Sequence, residues 1–177
     1  MPVSDGLVDA TPHSLGFRMP AEWEHQEGVW LSWPKDQDTF PDLIAVEQAY
    51  IRIIGEISRY ENVHLLVSNE DIAHYVSDIF RDERIKTEHL KLHQIDYADV
   101  WFRDYGPSFI TRRRDSSLAM VDWTFNAWGN KYPGLLQDDR ITSLDGWEFE
   151  MGRNWVTARF TVHTIYGDVS AQKEVDI

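Results

Sequence analysis

Asp99-Val100-Trp101-Phe102-Arg103-Asp104-Tyr105-Gly106-Pro107-Ser108-Phe109 is the stretch on which the reading of this chain turns. It sets two carboxylates, a guanidinium and several aromatic rings beside a Gly-Pro break. Asp and Arg seldom occupy strand interiors, and Gly-Pro marks a turn, so the segment predicts an irregular bend. It opens into a strand at Ser108-Phe109-Ile110-Thr111. A Trp beside Asp104 can form a small cage for a flat cation: the carboxylate accepts N–H donors while the indole face stacks on the ligand. The same residues also fit a purely structural turn. In that reading Arg103 pairs with Asp104 or Asp99 and Trp101 enters the core.

Outward toward the N-terminus the pattern becomes regular. Residues Glu88 to Ile95 alternate, with Leu90 and Leu92 on one side and His89, Lys91 and His93 on the other, predicting a half-buried strand that feeds the bend. Asn69 predicts a helix cap, with Ile72, Val76, Ile79 and Phe80 on the apolar face that follows. Val63 to Val67 reads as a short apolar strand, its His64 as a packing residue. Leu43, Val46, Tyr50, Ile54 and Ile57 recur at helical spacing, with a cap expected at Thr39, Pro41 in the first turn and Asp42 beside it. Val29 to Trp33 reads as a strand ended by Pro34. Asp36 and Asp38 in the loop after it read as solvated carboxylates.

Toward the C-terminus, Phe109 to Arg113 and Leu118 to Phe125 predict a hairpin across Arg114 to Ser117. Strands alternating with helices, then a hairpin, indicate an α/β protein. After Tyr132 the periodicity weakens. Asp138-Asp139-Arg140-Ile141 leads into no helix of useful length, and residues 155–166 read as one strand.

Composition narrows the partners. The chain has 177 residues, 42% of them apolar, and eight Trp, which suits a folded protein. A formal charge of -13 disfavours nucleic acid and anionic membranes and mildly favours a cationic ligand. There is no cysteine, so disulfides and thiol chemistry within these residues are excluded. His74 and His89 have no partner at metal-binding spacing. No apolar run is long enough for a membrane span and the first residues do not form a secretory signal, so a cytoplasmic location is expected.

The central stretch also carries a resemblance. WFRDYGPSF, within Trp101 to Phe109, resembles the first substrate-site motif of the agmatine deiminase family, in the Porphyromonas-type peptidylarginine deiminase superfamily. Met19-Pro20-Ala21-Glu22-Trp23-Glu24, continuing to Gly28-Val29-Trp30-Leu31-Ser32-Trp33-Pro34, resembles the family's opening segment. Phe125-Asn126-Ala127-Trp128-Gly129-Asn130-Lys131-Tyr132 resembles its next loop, with Asn130 where members usually carry a second Gly. The three motifs occur in the family's order.

The resemblance implies an α/β fold that is part of a five-bladed α/β-propeller, the pentein fold, built of ββαβ modules. It divides the chain into an N-terminal arm (1–18), N-terminal propeller modules (19–132) and a divergent or truncated continuation (133–177). It assigns Asp104 the catalytic role of holding and polarising a guanidinium. Trp101 would line the substrate, and Asn126 and Trp128 would shape the neighbouring wall. Glu150, in Glu150-Met151-Gly152, is the counterpart of a second guanidinium carboxylate, although Met151 stands where the family has Gly.

The reaction implied is hydrolysis of agmatine to N-carbamoylputrescine and ammonia, on the route to putrescine, with no metal or organic cofactor. Peptidylarginine or free arginine is the alternative substrate. Two family features have no match. There is no cysteine nucleophile, and no His-x-Asp pair, because Asp168 lies too far beyond His163. The chain therefore reads as roughly the N-terminal half of such an enzyme, inactive alone. The competing reading is a non-catalytic remnant that binds a cation or a partner. The partner expected in the first case is a small guanidinium cation, with neither nucleic acid nor membrane. Uncovered blade flanks make self-association into a homo-oligomer an expectation.

Overall fold

A computed structural model describes residues 11–143 and three short strands beyond them. In chain order the strands are β1 (Phe17–Arg18), β2 (Gly28–Ser32), β3 (Asn62–Val67), β4 (Leu90–Gln94), β5 (Ser108–Arg112), β6 (Ser117–Val121), β7 (Trp155–Ala158), β8 (Val162–Thr164) and β9 (Gly167–Val169). Helices α1 (Leu43–Ile57) and α2 (Glu70–Asp82) alternate with β2, β3 and β4. The chain divides into two units, one of His25–Tyr105 with Phe125–Ile141, the other of Met1–Glu24, Gly106–Thr124 and Thr142–Ile177.

The first unit is a parallel β2-β3-β4 sheet with α1 and α2 as its crossovers. Alternation along each strand sends one set of side chains to the helices. Trp33, Val63, Leu65 and Val67 meet Ile54 of α1 and Val76 and Phe80 of α2, all buried, with Leu31, Leu90 and Leu92 packed against them. Gly28 is required by the close approach of β2 to β3. A Cβ there would lie 2.7 Å from the Asn62 carbonyl oxygen. On the opposite face Trp30 stacks on His64 and lies tilted against His93, with ring centroids 4.3 and 4.7 Å away. The two imidazoles meet each other, Nδ1 of His64 lying 3.0 Å from Nε2 of His93. Burial, reinforced by the charges of His93 and Lys91, pulls His64 down to about 4.

The helix expected after the first strand starts later than the sequence indicated. Asp42, not Thr39, is its cap, accepting from the Ala45 amide at 3.1 Å. The Thr39 hydroxyl is engaged elsewhere, between Asp36 and Asp99. Asn69 caps α2 as expected, accepting from the Ile72 amide at 3.0 Å. The predicted strand from Glu88 begins only at Leu90, because Thr87–His89 form a 3-10 turn ahead of the first pairing, Val63 with Leu90.

In the second unit β5 and β6 form the expected antiparallel hairpin. Its turn is held by Asp115, which accepts from the Ser117 amide and hydroxyl and from Arg112. β1 flanks β5 and β7 runs parallel to β6. Phe17, Ile110, Ala119 and Val121 form the core of this unit. The hairpin strand ends at Val121 rather than Phe125, whose amide instead donates to Asp139. The single strand expected over 155–166 is two. β7 pairs with β6 and β8 with β9, so the two belong to different ladders. After Tyr132 the chain enters 3-10 turns over Pro133–Ser143, a helical segment that the sequence did not indicate.

Candidate functional site

The bend that follows β4 is organised by Asp99. Its side chain is 1% exposed. One oxygen accepts from the Val100 amide at 2.8 Å. The other accepts from the Trp101 indole N–H and the Thr39 hydroxyl, both at 2.8 Å. Thr39 also reaches Asp36 at 2.9 Å, so one hydroxyl proton serves two carboxylates and ties loop 36–39 to the bend. Asp36 is thereby a structural loop carboxylate, held below the usual range by its bonds to the Asp38 amide and to Thr39.

A second buried carboxylate holds the same backbone from behind. Asp138, also 1% exposed, accepts from the amides of Ala98 and Asp99. Burial pushes Asp138 up to about 6, against the pull of those two amides and with the Asp99 charge adding to the rise. Nothing in the sequence pattern marked Asp138 for this role. Its partners lie 40 and 39 residues away, and it falls where the periodicity had faded.

Phe102–Tyr105 form one helical turn. Residues three apart share a face of such a turn. Phe102 and Tyr105 take the inner face. Phe102 stacks on Trp30 at 5.6 Å, and the Tyr105 hydroxyl donates to the Asp99 carbonyl at 3.0 Å and lies 2.6 Å from the Ser32 hydroxyl. Burial pushes the Tyr105 phenol up, so it stays neutral. Trp101 and Asp104, also three apart, are left outside. Trp101 is 40% exposed and Asp104 is exposed, which removes the reading in which Trp101 belongs to the core.

The facing wall comes from residues 125–132. Phe125 and Ala127 are buried and anchor it. Ala127, Trp128, Gly129 and Asn130 then have φ of 49°, 53°, 77° and 61°, a complete left-handed turn. The turn is closed by the amides of Asn130 and Lys131, donating to the carbonyls of Asn126 and Ala127 at 2.6 and 3.1 Å. Each non-glycine residue in this conformation is strained by roughly 1–2 kcal/mol. Asn126 offsets part of the strain by accepting the Gly129 amide at 2.8 Å through its side chain. Its side-chain oxygen is thus engaged in shaping the wall.

Trp128 stands on this turn, 43% exposed. Its indole N–H donates to Asp104 Oδ1 at 3.3 Å. Its ring meets Trp101, Phe125 and Tyr132 edge-on at 6.1, 5.4 and 5.8 Å. Asp104 is thus an exposed carboxylate beside aromatic rings. The structure brings together Trp101, Asp104 and Trp128 and places Asn126 beneath the turn. It adds Tyr132, which residue-by-residue reading had not singled out. Glu150 lies outside the described residues. Among the described residues no group of three or more His, Cys, Asp or Glu side chains is placed to hold a metal ion. No helix among them is long and apolar enough to cross a membrane.

Comparison with known proteins places the fold and the family. A family model for Porphyromonas-type peptidyl-arginine deiminases matches residues 18–151. The chain is similar to an agmatine deiminase of Medicago truncatula, 32% identical over 145 residues that make up 77% of this chain and 37% of the relative. Among solved structures it is similar to a C. jejuni C315S agmatine deiminase with substrate bound. The TM-score is 0.60 at 29% identity, over 72% of this chain and 35% of that one. A further C. jejuni agmatine deiminase structure shares the fold with a TM-score of 0.59 at 23% identity, over 81% and 40% of the two chains. The chain thus spans little more than a third of the length of the relatives it matches. Its α/β architecture is the pentein-like fold of these deiminases. With the motifs in order and a family model matched across most of its length, the chain belongs to the Porphyromonas-type peptidyl-arginine deiminase family.

Proposed function

We propose that this chain carries the guanidinium-recognising part of a deiminase-type hydrolase site, with agmatine as the substrate. The observation that carries the reading is Asp104, an exposed carboxylate with the rings of Trp101 and Trp128 beside it. A planar guanidinium offers paired N–H donors that match a carboxylate and a flat face that stacks on indole. In this reading Asp104 holds and polarises the cation, Trp101 lines it, and Asn126 acts by capping the turn that presents Trp128. Glu150 would supply a second carboxylate. The relatives named as agmatine deiminases favour agmatine over peptidylarginine or arginine.

In the reaction water adds to the guanidinium carbon, the C–N bond to one terminal nitrogen breaks, and ammonia leaves with N-carbamoylputrescine as co-product. This sequence contains no cysteine, so the 177 residues supply no thiolate to attack that carbon. The second reading is a non-catalytic protein that binds a cation or a partner and retains half a site.

Calorimetry with agmatine, together with an ammonia-release assay, tests both readings. The chain alone is expected to bind weakly and to release no ammonia. Removing a carboxylate partner at a well-desolvated contact costs about 2–5 kcal/mol. At this exposed site Asp104→Asn and Trp101→Ala should each weaken binding by less than that, but measurably. Equal affinity in parent and both variants would place the cation elsewhere. Ammonia release above blank would demand a nucleophile other than cysteine.

A further inference from the structure

The two exposed tryptophans of the site are held in opposite ways. Trp101 donates its indole N–H at 2.8 Å to Asp99, a buried carboxylate behind the site, which makes it a fixed wall. Trp128 donates its indole N–H at 3.3 Å to Asp104 itself, the carboxylate assigned to the ligand. We propose that Trp128 is a displaceable donor: its N–H occupies Asp104 in the free site and gives up that oxygen when a guanidinium arrives. The inference rests on the reading of Asp104 as the guanidinium partner and adds a specificity device to it.

Three observations carry it. A guanidinium fork engages both carboxylate oxygens, and its charged donors compete with the neutral indole N–H for Oδ1. At 3.3 Å that bond lies just beyond the 2.7–3.2 Å of ordinary N–H···O bonds, so little is lost when it breaks. Trp128 also stands on a left-handed turn in which Ala127, Trp128 and Asn130 are non-glycine residues at positive φ. Segments strained in this way persist only while their surroundings hold them, and they recur at ligand clamps and switches. Freeing the indole removes one of those holds, so the turn can change conformation together with the ring.

The consequence is discrimination. An alkylammonium is a compact point charge that can share Asp104 without the fork. A guanidinium brings a second charged donor to Oδ1, where it competes with the indole. Trp128 therefore moves for agmatine and not for putrescine, a diamine that lacks the guanidinium.

The test uses the 177-residue chain with ¹⁵N-labelled tryptophan side chains and glycine amides, titrated separately with agmatine and putrescine. Saturation with agmatine should speed hydrogen exchange at the Trp128 indole and shift the Gly129 amide, while exchange at the Trp101 indole is unchanged. Putrescine should do neither. Trp128→Phe, which keeps a ring but removes the donor, should bind agmatine about 2- to 10-fold tighter, as expected for loss of one competing hydrogen bond. A Trp128 indole that stays protected in the saturated parent, or a folded Trp128→Phe that binds equally or more weakly, overturns the proposal. If Trp128→Phe does not fold, indole exchange in the parent decides. Failure of the underlying reading looks different. Either no tryptophan resonance responds to agmatine in the parent, or Asp104→Asn binds as tightly as the parent. In both cases the proposal falls with it.

Discussion

Replacing Asp138 by Asn isolates one buried carboxyl whose effect on stability changes with pH. Asp138 is 1% exposed, and its pKa is raised by burial from 3.8 to about 6. A carboxyl that holds its proton more tightly in the folded state stabilises the fold fully below pH 3.8. That contribution is lost as the pH rises through about 6. At about 1.4 kcal/mol per pH unit, the loss across the window is about 3 kcal/mol. The carboxamide of Asp138→Asn would not titrate. It would keep one acceptor for the amides of Ala98 and Asp99 and turn a donor toward the other, leaving a buried N–H unpaired at a cost of about 1–3 kcal/mol. At pH 4 the variant should therefore be less stable than the parent by about that amount. At pH 7.5 the difference should move by about 2.5 kcal/mol in the variant's favour, to near parity or a small gain. Urea unfolding followed by tryptophan fluorescence at the two pH values measures both differences by linear extrapolation. The subtraction also cancels any group whose titration is the same in both proteins. A parent–variant difference that is the same at pH 4 and pH 7.5 would refute the assignment of a raised, proton-holding Asp138.

Two further outcomes follow from the fold. His64, pulled from 6.5 down to about 4 by burial and by its neighbours His93 and Lys91, should stay neutral in an imidazole NMR titration until well below pH 6. The stability that its neutrality supports is complete above pH 6.5 and lost as the pH falls toward 4. A midpoint near 6.5 would contradict the packing described for the Trp30 face. Gly28→Ala would push a Cβ to 2.7 Å from the Asn62 carbonyl oxygen and should destabilise by about 1–3 kcal/mol, seen as a lower thermal midpoint. An unchanged midpoint would mean that β2 and β3 separate more easily than their register implies.

The left-handed turn places strain where a ligand would be gripped. Three non-glycine residues at positive φ cluster beside Asp104. The turn is held by contacts with several origins: Asn126 at its start, Phe125 and Tyr132 around the ring, and Asp104 on the indole. Of these, only Asp104 also faces a prospective ligand in the proposed reading. That is the physical basis for coupling the position of Trp128 to what Asp104 binds.

Much of the first unit could be read from the chain because its signals are local. Helical spacing from Leu43 to Ile57, the Asn69 cap and the alternation through Leu90 and Leu92 each act within a few residues of themselves, and helices and strands formed there. The cap of α1 was misplaced because Thr39 and Asp42 are both competent caps, and local sequence does not say that Asp99 competes for the Thr39 hydroxyl from 60 residues away. The 3-10 segment after Tyr132 was missed because it carries no strong apolar period.

For the site, the motif resemblance named Trp101, Asp104, Asn126, Trp128 and Glu150 as candidates, and the sequence itself shows that no cysteine is present. The order of the three motifs carries those candidates, because the residues around Asp104 taken by themselves also fit a purely structural turn. Only the tertiary structure decided which residues act together. It put Asp99 and Asp138 beneath the bend, fixed Trp101 to one carboxylate and Trp128 to another, and wound Ala127 to Asn130 left-handed. Those outcomes depend on hydrogen bonds between residues tens of positions apart and on a backbone conformation that the local sequence disfavours. Both are consequences of packing, and neither is visible in a chain read one residue at a time.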